Sequence, residues 1–126
     1  MTRAIADTSV FIAREAGRPL EELPDEIAVS VVTAAELELG VLRAQEAGTG
    51  RARSDALARA RRVPPAGDRR FVASCFARIA DGQLSAGRRL RRDDTWIAAT
   101  ALRHRVAVVT QDADFTDFTL VDVIRV

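Results

Sequence analysis

The chain has 126 residues, 48% of them hydrophobic, with nineteen basic against eighteen acidic side chains and a formal net charge of +1, a length that fits one domain, 1–126, burying roughly two-thirds of its unfolded surface. One cysteine, Cys75, excludes an intrachain disulfide, and one histidine, His104, without Cys or His companions excludes a zinc site on ligand count. No run approaches the ~20 apolar residues of a membrane-spanning helix, and Ala4-Ile5-Ala6 before Asp7 is far short of a signal-peptide apolar region, so a soluble, cytoplasmic protein without membrane contact is expected.

The small net charge conceals a division of the chain into three. Residues 1–42 carry three Arg and eight acids (net −5), residues 43–92 thirteen Arg and four acids (net +9), and residues 93–126 three Arg and six acids (net −3). Acid-rich ends around a basic middle suggest a cation site beside a surface that favours phosphate. All nineteen basic residues are Arg, which suits bidentate phosphate contacts; a GC-rich genome would give the same bias.

In chain order, Arg3 to Ala6 is a short apolar run, and Thr8 to Ala13 reads as a strand turning into a helix, with Asp7 on the corner. Asp7 has two readings, a helix N-cap or a functional carboxylate at a strand end. Gly17, Pro19 and Pro24 break the next segment, whose Glu21, Glu22, Asp25 and Glu26 read as a solvated turn or short helix. A second strand is expected over Ile27 to Val32. Thr33-Ala34-Ala35-Glu36 then matches a capping box at a helix start, with Leu37, Val41 and Ala44 on one face. Gly40, one turn after Glu36, costs about 1 kcal/mol relative to Ala in a helix, and open space beside the Glu36 carboxylate would explain it.

Gly48 to Gly50 is expected to close that helix. An arginine-rich helix follows from about Ala52 to Arg61, ended by Pro64 and Pro65. Arg69 to Ile79 is amphipathic, with Phe71, Val72, Cys75, Phe76 and Ile79 apolar, so Cys75 reads as core. Asp81-Gly82-Gln83 and Gly87 read as a loop into Arg88, Arg89, Arg91 and Arg92, a basic run directly before Asp93-Asp94. That run is either a solvated face or a set of phosphate contacts. Asp94 reads as an N-cap for a helix over Thr95 to Arg103, and His104 falls at its C-terminus, where the dipole favours a cation. Val106 to Thr110 is a β-branched strand followed at once by Asp112 and Asp114; the last strand is expected over Leu120 to Val126.

Each acid has a local explanation, yet local explanations say nothing about joint placement. One site requires acids at a strand end, two helix starts and another strand end, which is the arrangement Asp7, Glu36, Asp94 and Asp112 offer. Carboxylates crowded at one sheet edge repel unless a cation offsets them. Oxygen ligands without His or Cys point to Mg²⁺ or Mn²⁺, ions that activate water and clamp a scissile phosphate in phosphodiester hydrolysis.

These residues resemble the PIN domain, and within it the VapC-like toxins of type II toxin–antitoxin modules. Asp7 with Thr8-Ser9 is similar to the first motif of that family, Glu36-Leu37 with Gly40 to the second, the run DDTWIAATA with Asp94 to the third, and Thr110-Gln111-Asp112-Ala113-Asp114-Phe115 to the fourth. The resemblance covers nearly the whole chain. It implies an α/β fold, a three-layer α/β/α sandwich around a short, mostly parallel sheet, and a Mg²⁺-dependent (or Mn²⁺-dependent) endoribonuclease that inhibits growth. It further implies a homodimer, an RNA substrate and a small VapB-like antitoxin that covers the site. Asp7, Glu36, Asp94 and Asp112 are the catalytic candidates that follow, with Asp7, Asp94, Asp112 and secondarily Asp114 as metal ligands; Asp93 neighbours Asp94 and competes with it for that place. Arg88, Arg89, Arg91 and Arg92 are the RNA-binding candidates.

Rival readings are distinguishable. A phosphoacceptor receiver domain needs a late lysine that this chain lacks, and a haloacid-dehalogenase-like phosphatase would have two aspartates flanking one residue where Asp7 is followed by Thr8 and Ser9. A housekeeping PIN nuclease in RNA processing shares every catalytic candidate. A non-enzymatic interaction module would use the acids only as caps.

Overall fold

The computed structural model describes residues 2–61 and 69–126; Pro64 and Pro65, expected to end a helix, lie outside the described residues. The elements run β1 (Arg3–Ala6), α1 (Thr8–Glu15), β2 (Glu26–Ala28), α2 (Val31–Arg43), α3 (Ala47–Arg61), α4 (Arg69–Ser85), α5 (Arg92–His104), β3 (Ala107–Thr110), a 3-10 turn (Ala113–Asp117) and β4 (Val123–Arg125). All pairings are parallel and the strand order is β2-β1-β3-β4. From β1 the chain goes to one side for β2 and returns on the other for β3. The carboxyl ends of β1 and β3 therefore flank a switch point, the place where open parallel sheets bind ligands.

Alternation along the strands divides the core in two. Ala4, Ala6 and Val109 pack with Val10 and Phe11 of α1, Leu37 of α2 and Ala56 and Leu57 of α3. Ile5 and Val108 face the other way, onto Val72 and Ile79 of α4, Ile97, Ala98 and Ala101 of α5, and Phe115 and Phe118 after β3. The sheet is covered on both faces, which is why its strands read as continuous apolar runs. The result is the expected three-layer α/β/α sandwich. Phe76 of α4 stacks on Trp96 of α5 at 4.2 Å. Cys75 is half-buried and packs against the same core, while Phe71, expected on the apolar face, is exposed beneath the Arg103 guanidinium.

Several local expectations are corrected. The second strand ends at Ala28 rather than Val32, because the Ser30 side chain accepts from Thr33 N at 3.2 Å and caps α2 one turn earlier than the sequence suggested. Thr33 and Glu36 therefore form no capping box; this start instead turns Thr33 and Leu37 into the buried face. A Cβ built at Gly40 would stand 3.7 Å from Arg53 Cδ, an ordinary contact, and Arg53 Nη1 donates to Gly40 O at 2.8 Å, so the neighbour of this glycine is a side chain from α3. Gly48 and Gly50 lie inside α3 rather than closing α2.

The segment 18–24 forms no helix. Helix α4 continues past Ile79 through Asp81-Gly82-Gln83, because Gln83 is buried and its Nε2 donates to Asp117 O at 3.1 Å. Gly87, at φ +74°, then turns the chain in the conformation that favours glycine. Helix α5 begins at Arg92 with Arg91 at its cap, so Asp94 lies inside the first turn and is not the N-cap. Carboxylates there are still favoured by the helix dipole. The last strand contracts to Val123–Arg125.

Candidate active site

The strand side of the site is built on hydroxyls. Asp7 leaves β1 buried, and its Oδ2 accepts from Ser9 N at 3.3 Å and from Thr110 Oγ1 at 3.0 Å. The cap reading of Asp7 is thus true, and it does not exhaust the residue. Thr110, fully buried at the end of β3, also accepts from Asp112 N at 2.9 Å and lies 3.1 Å from Ser9 Oγ. With the single Thr110 proton given to Asp7, Ser9 must be the donor in that last contact. Ser9 Oγ in turn accepts from Gln111 N at 2.9 Å. One hydroxyl pair therefore joins the β1 carboxylate to the β3 end that carries Asp112.

Across from this edge, Thr8 Oγ1 donates to Glu36 Oε1 at 2.9 Å, tying α1 to α2. Asp94 Oδ2 is 3.4 Å from Arg91 Nη1. Asp112 Oδ1 accepts from Asp114 N at 2.9 Å and so caps the 3-10 turn.

Electrostatics shows which acids share a region. The Asp94 carboxyl is pushed up from 3.8 to about 6, first by burial and then by the charge of Asp7; Arg91 pulls it down, and Asp112 and Glu36 add to the rise. Glu36 is also raised, by burial foremost; the Thr8 hydrogen bond opposes, and Asp93 and Asp7 contribute. Asp7, Glu36 and Asp112 thus lie within electrostatic reach of Asp94. Asp93 is exposed and its charge adds to the rise at Glu36. Asp114 is exposed too, with Oδ2 3.9 Å from Arg91 Nη1. Among the described residues no three His, Cys, Asp or Glu side chains are gathered closely enough to hold an ion as they stand. The converging donors are all carboxylate oxygens, and His104 lies at the opposite end of α5 from Asp94; that donor set fits a hard divalent cation rather than zinc.

The arginine run is not uniform. Arg88 Nη1 donates to Asp117 O at 2.5 Å, and Arg91 Nη2 donates to Asp114 O at 2.8 Å, whereas Arg89 and Arg92 are exposed. Gln83, Arg88, Arg89, Arg91, Asp114 and Asp117 line a cleft of about 470 Å³ beside the acids. Sequence reasoning did not single out Thr8, Ser9 or Thr110 as supports for the carboxylates, although each lies inside a quoted motif. Nothing in the run of arginines distinguished Arg91 from its neighbours.

The PIN-domain profile matches residues 4–119. The chain is 42% identical over 120 residues to ribonuclease VapC5 of Mycobacterium tuberculosis, covering 88% of this chain and 84% of that protein. The chain belongs to the PIN-domain family, among the VapC ribonucleases. Ribonuclease VapC4 of the same organism is 40% identical over 126 residues, covering 98% of this chain and 97% of that protein. In three dimensions this PIN domain resembles the crystal structure of VapBC-5, a member of the VapBC family of toxin–antitoxin systems from Mycobacterium tuberculosis. The TM-score is 0.89 at 36% identity, with all of both chains covered. No helix among the described residues is long and apolar enough to cross a membrane.

Proposed function

We propose that the converging acids are the catalytic centre of a metal-dependent endoribonuclease, the toxin of a type II toxin–antitoxin pair, with Asp7, Asp94 and Asp112 as ligands of Mg²⁺ or Mn²⁺. What supports this is the crowding of carboxylates at Asp94: burial and the neighbouring Asp7, Asp112 and Glu36, from three other parts of the chain, push its carboxyl up to about 6. Asp7, Asp94 and Asp112 would hold the cation, which would supply an acidified water and offset charge on the scissile phosphate.

The chain's own residues prepare for that chemistry. Thr110 and Ser9 N fix the Asp7 carboxylate through Oδ2. Glu36 Oε1, oriented by Thr8, takes the proton of the attacking water, a role its raised pKa suits. Asp114 stands as a further ligand at the rim. Arg89 and Arg92, exposed beside the site, contact RNA phosphates. Arg88 and Arg91 do so less, because both donate to backbone carbonyls.

The net −5 and −3 of the segments that carry the acids suit a small antitoxin whose cationic tail crosses the site, and the resemblance to a VapBC complex supports such a partner. A homodimer accords with the same family. Purified protein should cleave RNA with Mg²⁺, stop when the metal is chelated, and lose cleavage in Asp94→Asn; coexpressing the antitoxin should restore growth. Equal Mg²⁺-dependent cleavage by wild type and Asp94→Asn, freed of contaminating nuclease, would remove Asp94 from the mechanism.

A further inference from the structure

Arg91 is set apart from the other arginines by what surrounds its guanidinium. Its side chain is 24% exposed, with Nη2 2.8 Å from Asp114 O and Nη1 3.4 Å from Asp94 Oδ2 and 3.9 Å from Asp114 Oδ2. Its Cζ lies 4.9 Å from the centre of the Phe118 ring, and Phe118 is itself buried against Phe115. The backbone is fixed as well, since Arg91 O accepts from both Thr95 N and Thr95 Oγ1 at the start of α5. One side chain thus joins the first turn of α5, which carries Asp94, to the 3-10 turn, which carries Asp114 and is capped by Asp112.

That turn is held from outside. Short 3-10 segments have poor internal hydrogen bonds and leave the carbonyls at their C-terminal end without helical partners. Here Gln83 and Arg88 donate to Asp117 O at that end, and Arg91 adds a donor to Asp114 O nearer the start.

We propose that Arg91 is a positioning residue for the acidic site: its guanidinium fastens the 3-10 turn to the start of α5, so that Asp112 and Asp114 are held in register with Asp94. The proposal rests on the reading that these acids take a divalent cation. It makes a prediction opposite in sign to simple electrostatics. A positive charge 3.4 Å from Asp94 Oδ2 opposes a second cation, so if Arg91 were only a charge, removing it would tighten metal binding. If Arg91 holds the ligands in place, removing it weakens binding.

The test compares wild type with Arg91→Ala and Arg91→Lys as intact full-length protein, with circular dichroism and gel filtration confirming fold and assembly. Amide exchange is measured at Asp114 and Phe118 without metal, and Mn²⁺ affinity by calorimetry. Arg91→Ala should speed exchange at those amides about tenfold, the scale of losing one hydrogen bond to a charged group, and should weaken Mn²⁺ binding severalfold. Arg91→Lys keeps the charge but loses the planar fork, so it should fall between the two and decides the matter if the alanine variant fails to fold. On RNA the variants should lose kcat with KM unchanged, whereas a substrate contact would raise KM. Unchanged exchange overturns the proposal, and so does faster exchange with tighter Mn²⁺ binding. Wild-type protein that binds no Mn²⁺ would instead remove the cation-site reading, and exchange would still decide whether Arg91 holds the turn.

Discussion

The two sides of the acidic site are held by different physics. On the strand side, Asp7 and Asp112 follow β1 and β3, whose register the sheet ladder fixes, and two small hydroxyls suffice to orient what emerges: Thr110 bonds Asp7 Oδ2 and accepts from Asp112 N. On the helix side, Asp94 sits in the first turn of α5 and Asp114 in a 3-10 turn outside the ladder, and a guanidinium spans the gap. Where the backbone is already placed, a neutral hydroxyl is enough. Where two segments must be brought together, a longer, charged side chain does it, and leaves a positive charge beside the acids.

That contrast can be broken first at the strand side. Asp7→Asn should reduce RNA cleavage to background while the protein stays folded, since Asn and Asp are about equal as N-caps and the empty site loses one repelling charge. Chelator-treated Asp7→Asn should unfold in urea at no lower concentration than wild type; a clearly lower midpoint would mean Asp7 is chiefly structural.

Thr110→Val removes the donor to Asp7 and the acceptor for Asp112 N at constant shape. Loss of an outer partner of a metal ligand typically costs about 10–100-fold in affinity or activity, and leaving buried polar groups unpaired costs about 1–3 kcal/mol. Thr110→Ser should recover most of both. If the serine variant is as impaired as valine, the hydroxyl is not what matters.

The helix side titrates. The folded Asp94 carboxyl is raised from 3.8 to about 6, so between those values the folded chain holds more protons than the unfolded one. Stability without metal therefore falls as pH rises through that window. Glu36 is shifted in the same direction and is present in both proteins to be compared. The urea midpoint of metal-free wild type should drop between about pH 4 and pH 6 by more than that of Asp94→Asn. Parallel curves would show that Asp94 is not crowded by the other acids.

The smallest effect belongs to the exposed arginines. Replacing Arg89 and Arg92 with Ala should flatten the slope of log affinity against log salt for uncleavable RNA by about 0.7 per lost phosphate contact. Cleavage position should be unchanged, since phosphate contacts position a strand without reading bases. An unchanged slope would make both residues part of a solvated face.

The sequence made the placement of the carboxylates legible, because Asp7 and Asp112 follow β-branched or apolar runs and Asp94 begins a small-residue run. It did not make their supports legible. The capping motif at Thr33 and Glu36 was a sound local pattern, but Ser30 offered an equally good cap one turn earlier, and burial of Thr33 and Leu37 chose it. Gly82 looked like a loop until Gln83 reached Asp117 O. Arg91 reads like any other member of a basic run, since its partners lie 23 and 27 residues away at Asp114 and Phe118. Acids announce themselves by position, whereas the groups that hold them depend on tertiary neighbours.

Whether Asp7, Glu36, Asp94 and Asp112 form one cation-dependent site is decided by calorimetric titration of chelator-treated protein with Mn²⁺, above the pH at which Asp94 ionises. Wild type should bind saturably, and Asp94→Asn should lose that binding while keeping its fold; binding of equal affinity and stoichiometry in both proteins would mean that these acids do not act as one site.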